Sequence, residues 1–235
     1  MRTSVRLNIA AVLAALMFLV STSVSGAQTH EEKRVTDSAA VLETLVRAPD
    51  QGIPEHILER AEAIVVIPSL VKGGFIIGAQ HGRGIMSVRD RETNRWSAPG
   101  FIALTGGSIG WQIGVQAGDL VLLVMNRDGV KDLLDNEFKF GANASVAAGP
   151  VGRQGEASTD ASLNAQILAY SRAKGLFAGL SLEGASLRMD KDANKDFYGT
   201  TISTEDMVRG ITKTTPAGSQ WTATLTRLVP ASSTR

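Results

Sequence analysis

Cysteine is absent from this chain, histidine occurs only three times, and the whole of 235 residues holds two tyrosines and three tryptophans. Without cysteine there is no disulfide framework, no thiol nucleophile, no thiolate zinc site and no lipid anchor on a modified thiol. An oxidising compartment is tolerated, but no staple is needed there. The histidines, His30, His56 and His81, are too scattered for a zinc ligand spacing and all precede Ser108. Excess charge is lacking too, with 24 lysines and arginines against 23 acidic residues. A nucleic-acid binder normally shows a strong basic surplus, so nucleic acid is not an expected partner.

What is present begins with an export signal. Arg2 and Arg6 precede the uncharged apolar run Ile9–Val20, and Ser25–Gly26–Ala27 supplies the small residues of a cleavage site. Crossing a bilayer takes roughly 20 apolar residues, more than this run offers. Residues 1–27 are therefore expected to be a signal peptide, with 28–235 as one mature domain whose core spans about 35–228 and whose tail, 229–235, is frayed. Losing the two leader arginines leaves the mature chain at about −1 by the same count, so any attraction to anions must come from a local patch.

Thr36–Arg47 has the spacing of an amphipathic helix through Val35, Ala39, Leu42 and Val46, with Thr36 or Asp37 as its cap. Pro54 opens a second short helix in which Ile57, Ala61 and Ile64 share a face. From Ile64 the period changes toward two. Trp111–Gly118 and Phe138–Ala148 alternate apolar and polar positions, Leu120–Met125 is a short buried run, and Val130–Leu134 forms a short helix after the Asn126–Gly129 turn. Ala165–Arg172 and Gly175–Leu182 are two further expected strands. Thr204–Arg209 is expected as a short helix stopped by Gly210, and in Trp221–Leu228 apolar residues alternate with threonines as in a strand.

Gly106, Gly110, Gly114 and Gly118 recur at every fourth position. On a strand they share one face and remove side chains where another backbone comes close; a small-residue transmembrane helix contact is disfavoured by Gln112 and Gln116. The expected class is α+β, with a mainly antiparallel, barrel- or sandwich-like core of glycine-rich strands and short N-terminal and peripheral helices.

Motifs of catalysis are each incomplete. Gly106–Gly110 has the G-x-S-x-G form of a nucleophile elbow, but no histidine follows Ser108. Ser69–Lys72 has the S-x-x-K form, but Pro68 precedes it and Gly73–Gly74 would end the helix it needs. Asp190, Asp192, Asn194 and Asp196 alternate like calcium ligands, yet Lys195 and Thr201 stand where an EF-hand loop needs glycine and glutamate. No cofactor, metal or catalytic residue is expected. An enzyme would show itself by a concave polar pocket around perturbed carboxylates such as Glu183 or Asp160.

The lipid-facing candidates are Lys72, Arg83, Arg153, Arg172 and Lys174 among the cations, with Phe75, Trp96, Phe101 and Phe177 as the aromatics near them. Together they would make a mixed aromatic and cationic surface suited to an anionic lipid interface. Lys72–Gly73–Gly74–Phe75 and Lys174–Gly175–Leu176–Phe177 share a four-residue pattern.

Several of these segments, read with Gly149–Pro150–Val151–Gly152–Arg153, Ala169–Gly179, and Asn194 with Tyr198–Gly199, resemble the SYLF (Ysc84-like) domain family. The resemblance covers about Glu32–Leu228. It implies a compact domain with helices beside a β-rich core and a lipid-binding, non-enzymatic role. It further implies, for an exported bacterial member, a peripheral place at a phospholipid surface of the periplasm or cell envelope. The alternative is an envelope structural or protein-interaction module whose glycine-rich faces contact another chain.

Overall fold

The computed structural model describes residues 28–49, 51–90, 92–134, 138–142, 145–152, 165–173, 176–177, 182, 184–203, 205–206 and 214–229, with backbone only at 74–77, 108–116, 134 and 176–177. The expected signal peptide and most of the C-terminal tail lie outside the described residues, as does most of the helix expected at Thr204–Arg209.

Helix α1, His30–Val46, starts nearly two turns earlier than its apolar spacing suggests. Thr29 is the cap, not Thr36 or Asp37: its hydroxyl accepts the Glu32 N–H while the Glu32 carboxylate accepts the Thr29 N–H. That reciprocal pair satisfies two amides that the first helical turn would leave bare. Thr36 instead donates its hydroxyl to the Glu32 carbonyl inside the helix. Helix α2, Glu55–Arg60, follows Pro54 and buries Ile57 and Leu58.

Two very long strands then form the body of the protein, β1 at Ala63–Val88 and β2 at Gly100–Val124. They pair antiparallel from Met86↔Gly100 to Ala63↔Val124, with irregularities after Ile67 and Gly74. At Ser69, which has φ 55°, the first irregularity is held by the Ser69 N–H donating to the Asp119 carboxylate at 3.1 Å. The ribbon curls back over one face. Gly84 lies so close to the other limb of β1 that a Cβ there would sit 2.1 Å from the Val66 carbonyl oxygen, and one at Gly82 would meet Ile67 and Leu70. Only glycine admits that approach.

The ends of β1 close on each other as well. The Arg89 N–H donates to the Glu62 carbonyl at 2.7 Å, and its guanidinium donates to the Glu59 and Leu58 carbonyls at the end of α2 while lying 4.6 Å from the Trp96 ring centroid.

The remaining elements are α3 (Arg127–Leu134), β3 (Phe138–Lys139), β4 (Val146–Ala148), β5 (Ile167–Ala173), β6 (Leu176–Phe177), β7 (Ala185–Met189), α4 (Lys191–Tyr198) and α5 (Pro216–Leu228). The sheet runs β3-β7-β2-β5-β4, with β1 along the other edge of β2 and β6 beside β5. All pairs are antiparallel except β4 with β5. The expected α+β class with an antiparallel core is what the chain forms.

Alternation sorts the sheet into two apolar layers. Val65, Ile67, Met86, Ile102, Leu104, Leu120 and Leu122 fill the concave side with Phe138, Phe140 and Leu133. Ile64, Val66, Ile85, Phe101, Val121, Leu123 and Tyr170 face the other way, under α1, α2 and α5. Burial on both faces explains why Ala63–Ile67 and Leu120–Val124 read as unbroken apolar runs.

Two expected strands are corrected, and an expected charged turn proves to be helical. Trp221–Leu228 is the end of helix α5: Thr215 caps it, Pro216 opens it, and Trp221, Leu225 and Leu228 share its buried face. The Trp221 indole N–H donates to the Ser87 hydroxyl at 2.8 Å, tying α5 to β1. Phe138–Ala148 is a pair of short strands, β3 and β4, separated by a turn with φ 87° at Gly141. The alternating acids at Asp190–Asp196, read as a charged turn because the calcium-loop pattern is broken there, lie on α4 and its cap.

Gly106 and Gly118 do admit close backbone approach as expected. A Cβ would lie 2.6 Å from Ala185 Cα at the first and 2.9 Å from the Arg172 carbonyl oxygen at the second.

Candidate functional site

The conspicuous open feature of the surface is created by the junction of β7 with α4. Strand β7 pairs with β2 as far as Met189↔Ile102, and the next N–H, that of Asp190, still donates to the Phe101 carbonyl at 2.9 Å. The chain then turns into α4, capped by the Asp190 carboxylate, which accepts the Ala193 N–H. Asn194 completes the interrupted ladder with its side chain. Its Oδ1 accepts the Phe101 N–H at 2.9 Å, and its Nδ2 donates to the Phe101 and Asp190 carbonyls at 3.0 and 2.9 Å. The carboxamide thus stands where the next peptide group of β7 would have been. One turn later Tyr198 donates its hydroxyl to the Pro99 carbonyl at 2.6 Å, and Gly199 ends the helix in the left-handed conformation. Asn194, Tyr198 and Gly199 therefore hold α4 on the start of β2.

Asp190 has a second carboxylate oxygen. It accepts from Arg34 of α1 at 3.3 Å and lies 3.9 Å from Arg83 of β1. Arg34 also stacks 5.2 Å from the centroid of the Phe101 ring.

Beside this junction lies a cleft of about 1030 Å³, lined on the sheet side by His81, Arg83, Ala103 and Arg188 and on the other by α4 and residues 201–203. Its floor follows from strand register. Arg83 pairs with Ala103, and Ala103 pairs with Arg188, so the two arginines stand in one row with a methyl group between them. Two strand spacings place their Cα atoms roughly 10 Å apart. The next row on the same face is His81, Thr105 and Ser186, the last two with hydroxyls 3.4 Å apart. Nearer the helices this face is apolar at Ile85 and Phe101; beyond their reach it becomes cationic and hydroxyl-rich. Arg83 and Arg188 are both exposed, and among the described residues Arg188 has no ion-pair partner.

Of the residues singled out for lipid contact, the structure brings Arg83 to the cleft. Phe101 is fully buried under α1 and α4, its ring 4.9 Å from that of Phe197, and Trp96 is buried beneath the Arg89 guanidinium. Neither lies at the surface, because both fall on the side of the ribbon that the helices cover.

Lys72, half-buried, pairs with Gln116; Arg172, also half-buried, pairs with Asp119. Odd and even positions of β2 face opposite ways, so Lys72 and Arg172 lie on opposite sides of the sheet. Arg153, Lys174 and the side chains of Phe75 and Phe177 lie outside the described residues, as do Asp160 and Glu183. Among the described residues no group of His, Asp and Glu is arranged to hold a metal ion, and no helix is long and apolar enough to cross a membrane.

Arg188, missed by the sequence reading, could have been found from the alternation of Ala185 and Leu187 with Ser186 and Arg188. The motif that resembles a nucleophile elbow, Gly106–Gly110, lies inside β2, where no strand-to-helix turn exists.

Comparison with known proteins shows what the chain as a whole resembles. A family model, Ysc84, described as Las17-binding protein actin regulator, matches residues 105–228. Protein YSC84 of Saccharomyces cerevisiae is 35% identical over 188 residues, covering 77% of this chain and 40% of the relative. The SH3 domain-containing YSC84-like protein 1 of Xenopus laevis is 37% identical over 152 residues, covering 64% and 45%, and its human counterpart is 35% identical over 166 residues, covering 70% and 48%. The chain spans less than half the length of each of these relatives.

Proposed function

The chain belongs to the Ysc84 (SYLF) family, and from that premise we propose that it is a non-enzymatic domain that binds phospholipid at a membrane surface of the cell envelope after export. The observation that carries the proposal is the cleft on the uncovered end of the sheet, where Arg83, Arg188 and Lys191 gather in a chain with almost no net charge. Asp190, the nearest anion, is already engaged by Arg34.

Each Lys or Arg at an anionic membrane contributes on the order of 1 kcal/mol. Three would give about 3 kcal/mol, reduced by the exposed Asp192, and the field fades over about 8 Å at physiological ionic strength. Attachment is then peripheral, reversible and salt-sensitive. No exposed aromatic among the described residues adds to it.

The test is co-sedimentation of residues 28–235 with neutral and anionic vesicles at low and high salt, beside Arg83→Glu/Arg188→Glu. Binding that requires anionic lipid and is weakened by salt and by the double substitution supports the proposal. No binding under any condition refutes it. One finding favours a second reading: relatives include a protein named LAS seventeen-binding protein 3, 36% identical over 171 residues. A protein partner is the alternative occupant, and recovery of a stoichiometric partner without lipid would establish it.

A further inference from the structure

We infer that the row Arg83–Ala103–Arg188 is a seat for a single tetrahedral phosphate bearing at least three free oxygens, a phosphomonoester or inorganic phosphate, and not for the phosphodiester common to most membrane lipids. The inference deepens the lipid proposal and rests on the same cleft, but it concerns which anion is selected.

Three features of the floor favour it. First, the guanidiniums come from strands on either side of β2 and stand on one face. Their Cα separation, roughly two strand spacings, is within what two arginine side chains close by leaning toward each other. Second, the residue between them is alanine, so nothing larger than a methyl group occupies the point where they converge. Third, Arg83 is steadied by the Asp190 carboxylate at 3.9 Å, while Arg188 has no ion-pair partner among the described residues and is available to an incoming anion.

A guanidinium presents parallel N–H donors that match two oxygens of a phosphate. Two guanidiniums facing one phosphorus from opposite sides therefore call for more than two free oxygens. A monoester offers three, with its one ester arm leaving along the cleft past the Thr105 and Ser186 hydroxyls. A diester offers two, and its second arm must leave through one of the arginines. Ala103 then acts as the selectivity element, since its small side chain makes the notch without contributing charge.

The experiment separates this from membrane attachment. Binding of inorganic phosphate, glycerol 3-phosphate and glycerophosphocholine to residues 28–235 is measured by calorimetry, and vesicles containing phosphatidic acid or phosphatidylglycerol at matched surface charge are compared by co-sedimentation. Ala103→Leu fills the notch and leaves every charge in place; Arg188→Gln removes one guanidinium from an exposed position. Thermal melting checks that each variant is folded.

The expected result is that phosphate and glycerol 3-phosphate bind at least tenfold more tightly than the diester. Ala103→Leu should abolish that preference while leaving phosphatidylglycerol binding unchanged, and Arg188→Gln should weaken monoester binding tenfold or more. Equal affinity for monoester and diester overturns the inference, as does an Ala103→Leu protein that binds phosphate normally. Should Ala103→Leu fail to fold, Arg188→Gln decides alone. Vesicle binding without phosphate binding refutes the seat and leaves the lipid proposal standing. Phosphate binding without vesicle binding supports the seat, identifies a soluble source and refutes the lipid proposal.

Discussion

Replacing Asn194 by alanine removes three hydrogen bonds, and the structure indicates that they are not equal. The Phe101 carbonyl also accepts the Asp190 N–H, and the Asp190 carbonyl also accepts the Asn194 N–H. Those two oxygens keep a partner and each loses only a second bond, about 0.5–1 kcal/mol. The Phe101 N–H has the Asn194 side chain as its acceptor, at a residue that is fully buried. An orphaned buried donor costs about 1–3 kcal/mol. The total comes to about 3 kcal/mol, which for a domain of this size lowers Tm by about 6–12 °C.

Urea and thermal denaturation followed by tryptophan fluorescence and circular dichroism would measure it. Tyr198→Phe, which removes the 2.6 Å bond to the Pro99 carbonyl, should cost about 1 kcal/mol alone and nearly nothing when added to Asn194→Ala, if the first change already releases α4. A loss below 1 kcal/mol for Asn194→Ala would show that the side-chain bridge is not what holds α4 on β2. Full additivity of the two changes would show that the helix stays docked without it.

Gly149→Ala places a Cβ 2.1 Å from the Tyr170 ring, which is buried and has nowhere to move. A destabilisation of about 3 kcal/mol is expected from such overpacking, and a variant that melts like wild type would contradict the packing of that ring on the glycine. The two tyrosines, Tyr170 and Tyr198, are both raised above the ordinary phenol pKa of 10.0 by burial. Because the folded state favours the neutral phenol, their contribution to stability is complete below pH 10 and is lost as the pH rises through their folded values. Ultraviolet absorbance should therefore show no phenolate near pH 10, and should show it only together with loss of circular dichroism; phenolate formation in the folded protein would refute the burial.

Much of the fold is legible in the sequence, and what escapes it does so for definable reasons. Helix α1 carries a clear periodic signal, and the strands at Leu120–Val124 and Ile167–Ala173 stand out as short apolar runs. The lengths of β1 and β2 do not, since Gly73–Gly74, Gly106–Gly107 and Pro68 read as chain breaks but lie inside strands whose curl needs them. Helix α5 escapes because Trp221 and Leu225, four apart, satisfy both an alternating and a helical pattern. Strand β7 has five residues, too few for its alternation to stand out, and Arg188 escapes with it. Arg83 stood out as a cation, but its relation to Arg188 depends on the register of three strands, which no local pattern contains. Asn194 and Tyr198 were visible as family residues, yet their task, holding a helix to a strand, emerges only from the backbone groups they meet.

The pairing of β1 with β2 bears finally on the order in which the molecule assembles. The bridge Arg89↔Trp96 closes the smallest loop, Met86↔Gly100 begins the ladder, and Ala63↔Val124 closes the largest loop, within one continuous hairpin. Loop-closure entropy rises only logarithmically, so once the turn near Trp96 has formed, each further pair is added next to one already made. The curled wall can thus grow from its middle outward before either end of the chain is fixed. Helices α1 and α5, from opposite ends of the described chain and joined through Glu43 and Arg227, would then close over a finished surface. Both ends would be late additions, and their loss would expose the wall without unzipping it.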